Sequence, residues 1–125
     1  MHSLKEAVEG SDPETILALC DHQLCLMVPG TPALRGTAEF RFWLEASFSK
    51  CAVNLEYELG SVTPNGELVA ADGRYTLYTS SSIYTGIRGL GGNFLAVLRK
   101  GEGRWRLFRL SCTSDLPPAR VRPSD

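Results

Sequence analysis

Two periodicities divide this chain near Val53. Upstream, apolar residues recur at helical spacing. Asp12-Pro13-Glu14 reads as a helix start: an aspartate whose carboxylate can accept free backbone N–H groups, a proline where no N–H is needed, and an acid at the positive end of the dipole. Ile16, Leu17, Leu19 and Cys20 give this helix an apolar stripe that ends near Asp21-His22. Residues 4–9 read as the end of an earlier helix, stopped at Gly10-Ser11. A short apolar strand over residues 24–28 breaks at Pro29-Gly30. After a loop, Thr37 is placed to cap a helix running to about Phe48, with Phe40, Trp43, Leu44 and Ser47 on one side and Phe42 off the stripe.

Downstream the period is two. Val53, Leu55, Tyr57 and Leu59 alternate with Asn54, Glu56 and Glu58. After the turn signal Thr63-Pro64-Asn65-Gly66, Val69, Ala71, Gly73, Tyr75 and Leu77 alternate with Ala70, Asp72, Arg74, Thr76 and Tyr78. A glycine-rich link leads to a last hairpin, residues 93–100 and 104–113, around Gly101-Glu102-Gly103. Helices followed by a long meander predict an α+β domain over residues 1–115, a curved antiparallel sheet wrapped around N-terminal helices, with a proline-rich tail at 116–125.

Composition narrows the function classes. The chain has 125 residues, 43% of them hydrophobic, with 13 basic and 14 acidic residues. This balance gives no general attraction to nucleic acid or to anionic lipid. No apolar run is long enough to span a bilayer and no signal-peptide core opens the chain, so a cytoplasmic location is expected. Cys20, Cys25, Cys51 and Cys112, with His2 and His22, lack metal-ligand spacing. Neither a metal nor a cofactor is expected. Gly86-Ile87-Arg88-Gly89-Leu90-Gly91-Gly92 precedes a strand, not a helix, so it fails as a dinucleotide fingerprint and reads as a hairpin or bulge. Arg99, Lys100, Arg104, Arg106 and Arg109 cluster with Trp105 and Phe108, but the near-neutral charge argues against nucleic acid.

Several stretches carry a resemblance: the Asp12-capped helix, the strand ending Val28-Pro29, Arg35-Gly36-Thr37 leading into the aromatic-bearing helix, and Gly103-Arg104-Trp105-Arg106-Leu107. Together they resemble the ketosteroid isomerase branch of the nuclear transport factor 2-like superfamily, which also holds the SnoaL-like polyketide cyclases. The resemblance implies a cone-shaped, cystatin-like α+β barrel. In ketosteroid isomerase an aspartate base moves the proton, and a tyrosine with a protonated aspartic acid holds the oxyanion. Matched residue by residue, those positions fall on Val28, Leu4 and Leu95, and the acid that SnoaL-like domains often carry in the final strand falls on Leu110. Carbon side chains neither take a proton nor donate a hydrogen bond. Base and oxyanion donor each contribute roughly 10²-fold or more, so no ketosteroid isomerisation is expected.

The expected cup is therefore apolar. Its predicted lining is Leu17, Val28, Phe40, Trp43, Leu55, Tyr57, Tyr75, Leu95, Phe108, Leu110 and Cys112, suited to a small hydrophobic molecule. Tyr57 and Tyr75 are the polar handles, and the candidate acids if the chain is instead an enzyme of the cyclase or isomerase type. Strict alternation that turns Phe108, Leu110 and Cys112 inward turns Trp105 and Leu107 outward. Such a patch would form a homodimer interface, the basis of a third reading as an assembly domain.

Overall fold

The computed structural model describes residues 6, 8–49, 52–80 and 88–115. Position Leu4, Cys51, the first two residues of the glycine-rich motif and the tail at 116–125 lie outside them. Helix α1 (Pro13–Ala18) is capped as its sequence predicts, the Asp12 carboxylate accepting the Thr15 N–H at 3.2 Å and the Thr15 hydroxyl at 2.5 Å. Helix α2 (Gly36–Phe48) starts two residues earlier than a Thr37 cap implies. Arg35 is its N-cap and offers no side-chain cap; instead Glu39 reaches back and accepts the Arg35 N–H at 3.0 Å. Gly36, at φ 81°, makes the sharp entry that a side chain would resist. Ile16 and Leu17 of α1 and Phe40 and Leu44 of α2 are buried against each other, and Phe42 stands 78% exposed, off the stripe.

Six strands make one curved, unclosed sheet: β1 (Cys20–Met27), β2 (Leu34–Arg35), β3 (Ala52–Asn65), β4 (Leu68–Ser80), β5 (Arg88–Gly101) and β6 (Arg104–Cys112), in the order β2-β1-β6-β5-β4-β3. The sheet is mixed, because β1 pairs parallel to β6 while every other pair is antiparallel. A parallel pair needs a long crossover, and here α2 and four strands supply it. The hairpin turns are tight. Gly66 at φ 63° turns β3 into β4, and Glu102 and Gly103 at φ 53° and 76° turn β5 into β6, the left-handed pair that suits strand twist.

The helices cover one face of the sheet. Leu24 and Leu26 of β1 join Ile16, Leu17, Cys20, Phe40 and Leu44 in the core, with Leu107 and Leu110 of β6 packed against it. That arrangement overturns strict alternation in the last strand. Val97 pairs with Arg109, but Leu98 pairs with Leu107, so Phe108 is an extra residue in β6. Two residues then share one step of the pleat and the parity reverses across them. Leu107 consequently turns toward the helices and cannot form the outward patch expected of it with Trp105. Phe108, expected inside, instead lies between two guanidinium groups, with Arg99 3.9 Å and Arg109 3.8 Å from its ring centroid. Trp105, two positions from Leu107, shares its face instead of turning outward, and is 43% exposed across from Lys100 at the strand end. Leu95 is a second correction. Its neighbours Phe94 and Ala96 are buried, whereas Leu95 alternates onto the outer face beside Asp72 and Ser111 and is 52% exposed. Glu56, Glu58 and Asp72 are exposed, as their alternation requires.

A buried carboxylate braces the outer side. Asp21 accepts from Arg99 Nε at 3.0 Å, Arg99 Nη2 at 2.9 Å and the Gln23 N–H at 2.8 Å, while Arg109 Nη1 donates to the Gln23 carbonyl at 2.8 Å. These bonds tie β1 to β5 and β6. Burial pushes the Asp21 carboxyl up, but the Gln23 and Arg99 bonds outweigh it and hold the group below its ordinary value.

Two outcomes follow from this packing. An alanine Cβ at Gly92 would sit 1.7 Å from the Thr113 carbonyl oxygen, while at Gly101 it would meet nothing within 4 Å. Urea unfolding should therefore show Gly92→Ala destabilised by about 1–3 kcal/mol, with Gly101→Ala within about 0.5 kcal/mol of wild type; equal midpoints would refute the close approach. Asp21→Asn should cost about 1–3 kcal/mol at neutral pH. A depressed carboxyl stabilises above its unfolded pKa and loses that contribution as pH falls. The gap between wild type and Asp21→Asn should thus hold steady above about pH 5 and narrow as pH drops through 4 and below. A gap that widens toward acid would contradict the brace.

Candidate functional site

The helix-bearing face holds most of the expected cup residues, but as two separate regions. Leu17 and Phe40 belong to the filled core, with Val28, Trp43 and Leu110 packed on it. Farther along the sheet Leu55 pairs with Leu77, Tyr57 with Tyr75, Tyr75 in turn with Gly92, and Cys112 with Phe94. Here the tyrosines and Cys112 share the inner face and are only partly buried.

The chemistry available in this second region is limited. The Tyr75 hydroxyl donates to the Thr113 carbonyl at 2.8 Å, so its proton is already engaged. Burial raises its pKa, and Cys112 and Asp115 add to the effect, so it stays a neutral donor. Gly92 makes room for it, since a Cβ there would stand 2.9 Å from Tyr75 Cε1. Burial also pushes the Cys112 thiol to about 11 and the Cys20 thiol to about 12, leaving neither as a thiolate at neutral pH. Val28 is apolar and packs against the helix core. With Leu95 outside, the inward neighbours Phe94 and Ala96 also bring only carbon. Among the described residues, no group of three or more histidine, cysteine or acidic side chains is placed to hold a metal. None of the helices among them is long and apolar enough to cross a membrane.

Another feature of the helix-bearing face lies toward its other end, where the two hairpin turns are. A cleft of about 240 Å³ opens there. Ala71 and Ala96, 5% and 4% exposed, form its floor. Leu59, Val62 and Val69 wall it on the β3–β4 side, and Leu98 and Leu107 on the other. Leu19 projects over it from the turn after α1, held by the Leu107 N–H, which donates to the Leu19 carbonyl at 2.9 Å. Leu59 and Val62 flank an irregularity in which β3 carries one more residue than β4, and both are about half exposed, 48% and 54%. Asp72 fixes that bulge from the outer side by accepting the Ser61 N–H at 3.2 Å and the Ser61 hydroxyl. Every side chain lining the cleft is hydrocarbon.

None of these lining residues belongs to the expected lining. The alternation of Leu59, Val69 and Ala71 places them on the inner face, which was readable. That Leu107 joins them depends on the Phe108 bulge, and no residue type in Arg104–Cys112 announces one.

No protein-family model and no curated protein matches the sequence. Solved structures do match. A putative scytalone dehydratase from Novosphingobium aromaticivorans aligns with a TM-score of 0.85 at 12% identity, over 93% of this chain and 79% of that one. A ketosteroid isomerase-like protein from Erwinia carotovora atroseptica aligns at 0.81 and 19% identity, over 93% and 91%. A nuclear transport factor 2-like superfamily protein from Salmonella enterica serovar Typhimurium aligns at 0.81 and 12% identity, over 98% and 90%. Identities this low speak for architecture alone, and on that ground the chain has the nuclear transport factor 2-like fold.

Proposed function

We propose that this chain is a binding domain for a small apolar molecule, held in the cleft over Ala71 and Ala96. The cleft itself carries the reading. A cavity lined only by carbon gives water no hydrogen-bond partners and favours an apolar occupant. Its size then selects among occupants. Drug-sized and cofactor pockets run from about 300 to 1,000 Å³, and a dry cavity of about 150 Å³ holds benzene. At about 240 Å³ the cleft stands between them. One ring or a short chain fits this volume, and a four-ring steroid exceeds it.

The names of the structural neighbours, a dehydratase and an isomerase-like protein among them, raise an enzyme reading. Such chemistry needs a base that is ionised at neutral pH. The inner face near Tyr75 supplies a tyrosine already donating its proton and the Cys112 thiol, held protonated by burial. Binding without turnover is the reading these groups support.

Thermal unfolding in the presence of small hydrocarbons and aryl compounds tests it. A ligand at a hundredfold excess over its dissociation constant should add about 2.7 kcal/mol of stability. Val62→Phe, which places a ring in the cleft from its half-exposed rim, should remove that shift while leaving the unliganded protein folded. No shift with any compound of six to twelve carbons, or a shift unchanged by Val62→Phe, would refute the proposal.

A further inference from the structure

We infer that the molecule held in this cleft is an amphipathic carboxylate, its chain on the hydrocarbon walls and its carboxylate on Lys100. This rests on the cleft-binding function proposed above and narrows it to a ligand class. The carrying observation is a juxtaposition set by strand register. Leu98 and Leu107, which wall the cleft, are cross-strand partners, and the next partners on the same face are Lys100 and Trp105. Side chains two positions apart on a strand share a face and stand about 7 Å apart. The register shift in this hairpin lies between Val97 and Leu98, so no parity change separates the two rows.

One end of an all-carbon cleft is thus bordered by a cation and an aromatic ring. Lys100 is exposed, and among the described residues no carboxylate pairs with it. Its backbone is fixed, the N–H donating to the Glu67 carbonyl at 2.8 Å. An ammonium has three donors and no acceptor, and its flexible stem lets it reach a single anionic group. Trp105, 43% exposed, presents apolar surface beside it, against which the first methylenes of a chain can lie. Arg104 and Arg106 alternate to the other face and do not compete for the same anion.

Length follows from volume. If about 150 Å³ holds the six carbons of benzene, about 240 Å³ holds roughly ten. The ligand class is therefore a medium-chain fatty acid or an arylalkanoic acid of similar length. A second copy of the chain or a polypeptide tail would need a longer and wider groove.

Calorimetric titration of the full chain with octanoate and with octan-1-ol separates this inference from the function it rests on. At low ionic strength octanoate should bind about two- to fivefold tighter than the alcohol, as an exposed ion pair allows. The preference should shrink in 0.5 M salt, because exposed charges are screened. Lys100→Met should lower octanoate to the affinity of octan-1-ol, and Lys100→Arg should keep the preference. Circular dichroism confirms that each exposed-site variant is folded. Equal binding of acid and alcohol by the wild-type protein, or a preference that survives Lys100→Met, would overturn the carboxylate assignment and leave the apolar cleft standing. Absence of binding by both ligands would remove the cleft function as well.

Discussion

One extra residue in β6 decides which side chains of this protein face the helices. Because Phe108 is a bulge, Leu107 and Leu110 both point inward although three positions separate them. The same bulge turns Phe108 out between Arg99 and Arg109, and that stack belongs to the network in which Asp21 holds β1 to β5 across β6. Without the insertion, Leu107 would face solvent and one wall of the cleft would be missing. The packing of the helices, the bracing of the outer face and the shape of the cleft all rest on this local irregularity.

The cleft exists because the sheet carries small side chains where two bulged strands bend around them. Ala71 and Ala96 leave the floor low, the β3 irregularity swings Leu59 and Val62 to one rim, and the β6 bulge sets Leu107 on the other. At the opposite end of the same face Tyr75 packs onto Gly92 and its hydroxyl donates to the Thr113 carbonyl. On this face burial raises the Tyr75 hydroxyl and the Cys20 and Cys112 thiols, which stay protonated at neutral pH.

Much of the architecture was legible in the sequence. The Asp12 cap, the Phe40–Leu44 stripe, the period change at Val53 and the Gly66 and Glu102-Gly103 turns each have a local cause, so local residues reveal them. The faces of β3 and β4 were readable for the same reason, since alternation holds there up to the Gly60 bulge. What the residues did not reveal was register. A bulge depends on how two strands meet, and Arg104–Cys112 contains no glycine or proline to mark one. Leu95 was misplaced differently: a match to distant relatives put it inside, whereas its own strand alternates Phe94 and Ala96 inward. The parallel pairing of β1 with β6 is likewise a long-range choice that neither segment encodes alone.

The claim that the β6 bulge sets the inner face is tested most directly by nuclear Overhauser contacts in solution. The structure requires contacts from the Leu107 methyl groups to Leu19 and Leu98, and from the Phe108 ring to the Arg99 and Arg109 side chains. Contacts from the Phe108 ring to Leu26 or Ile16, with Leu107 seen only near outer-face residues, would show an unbulged β6 and contradict the account.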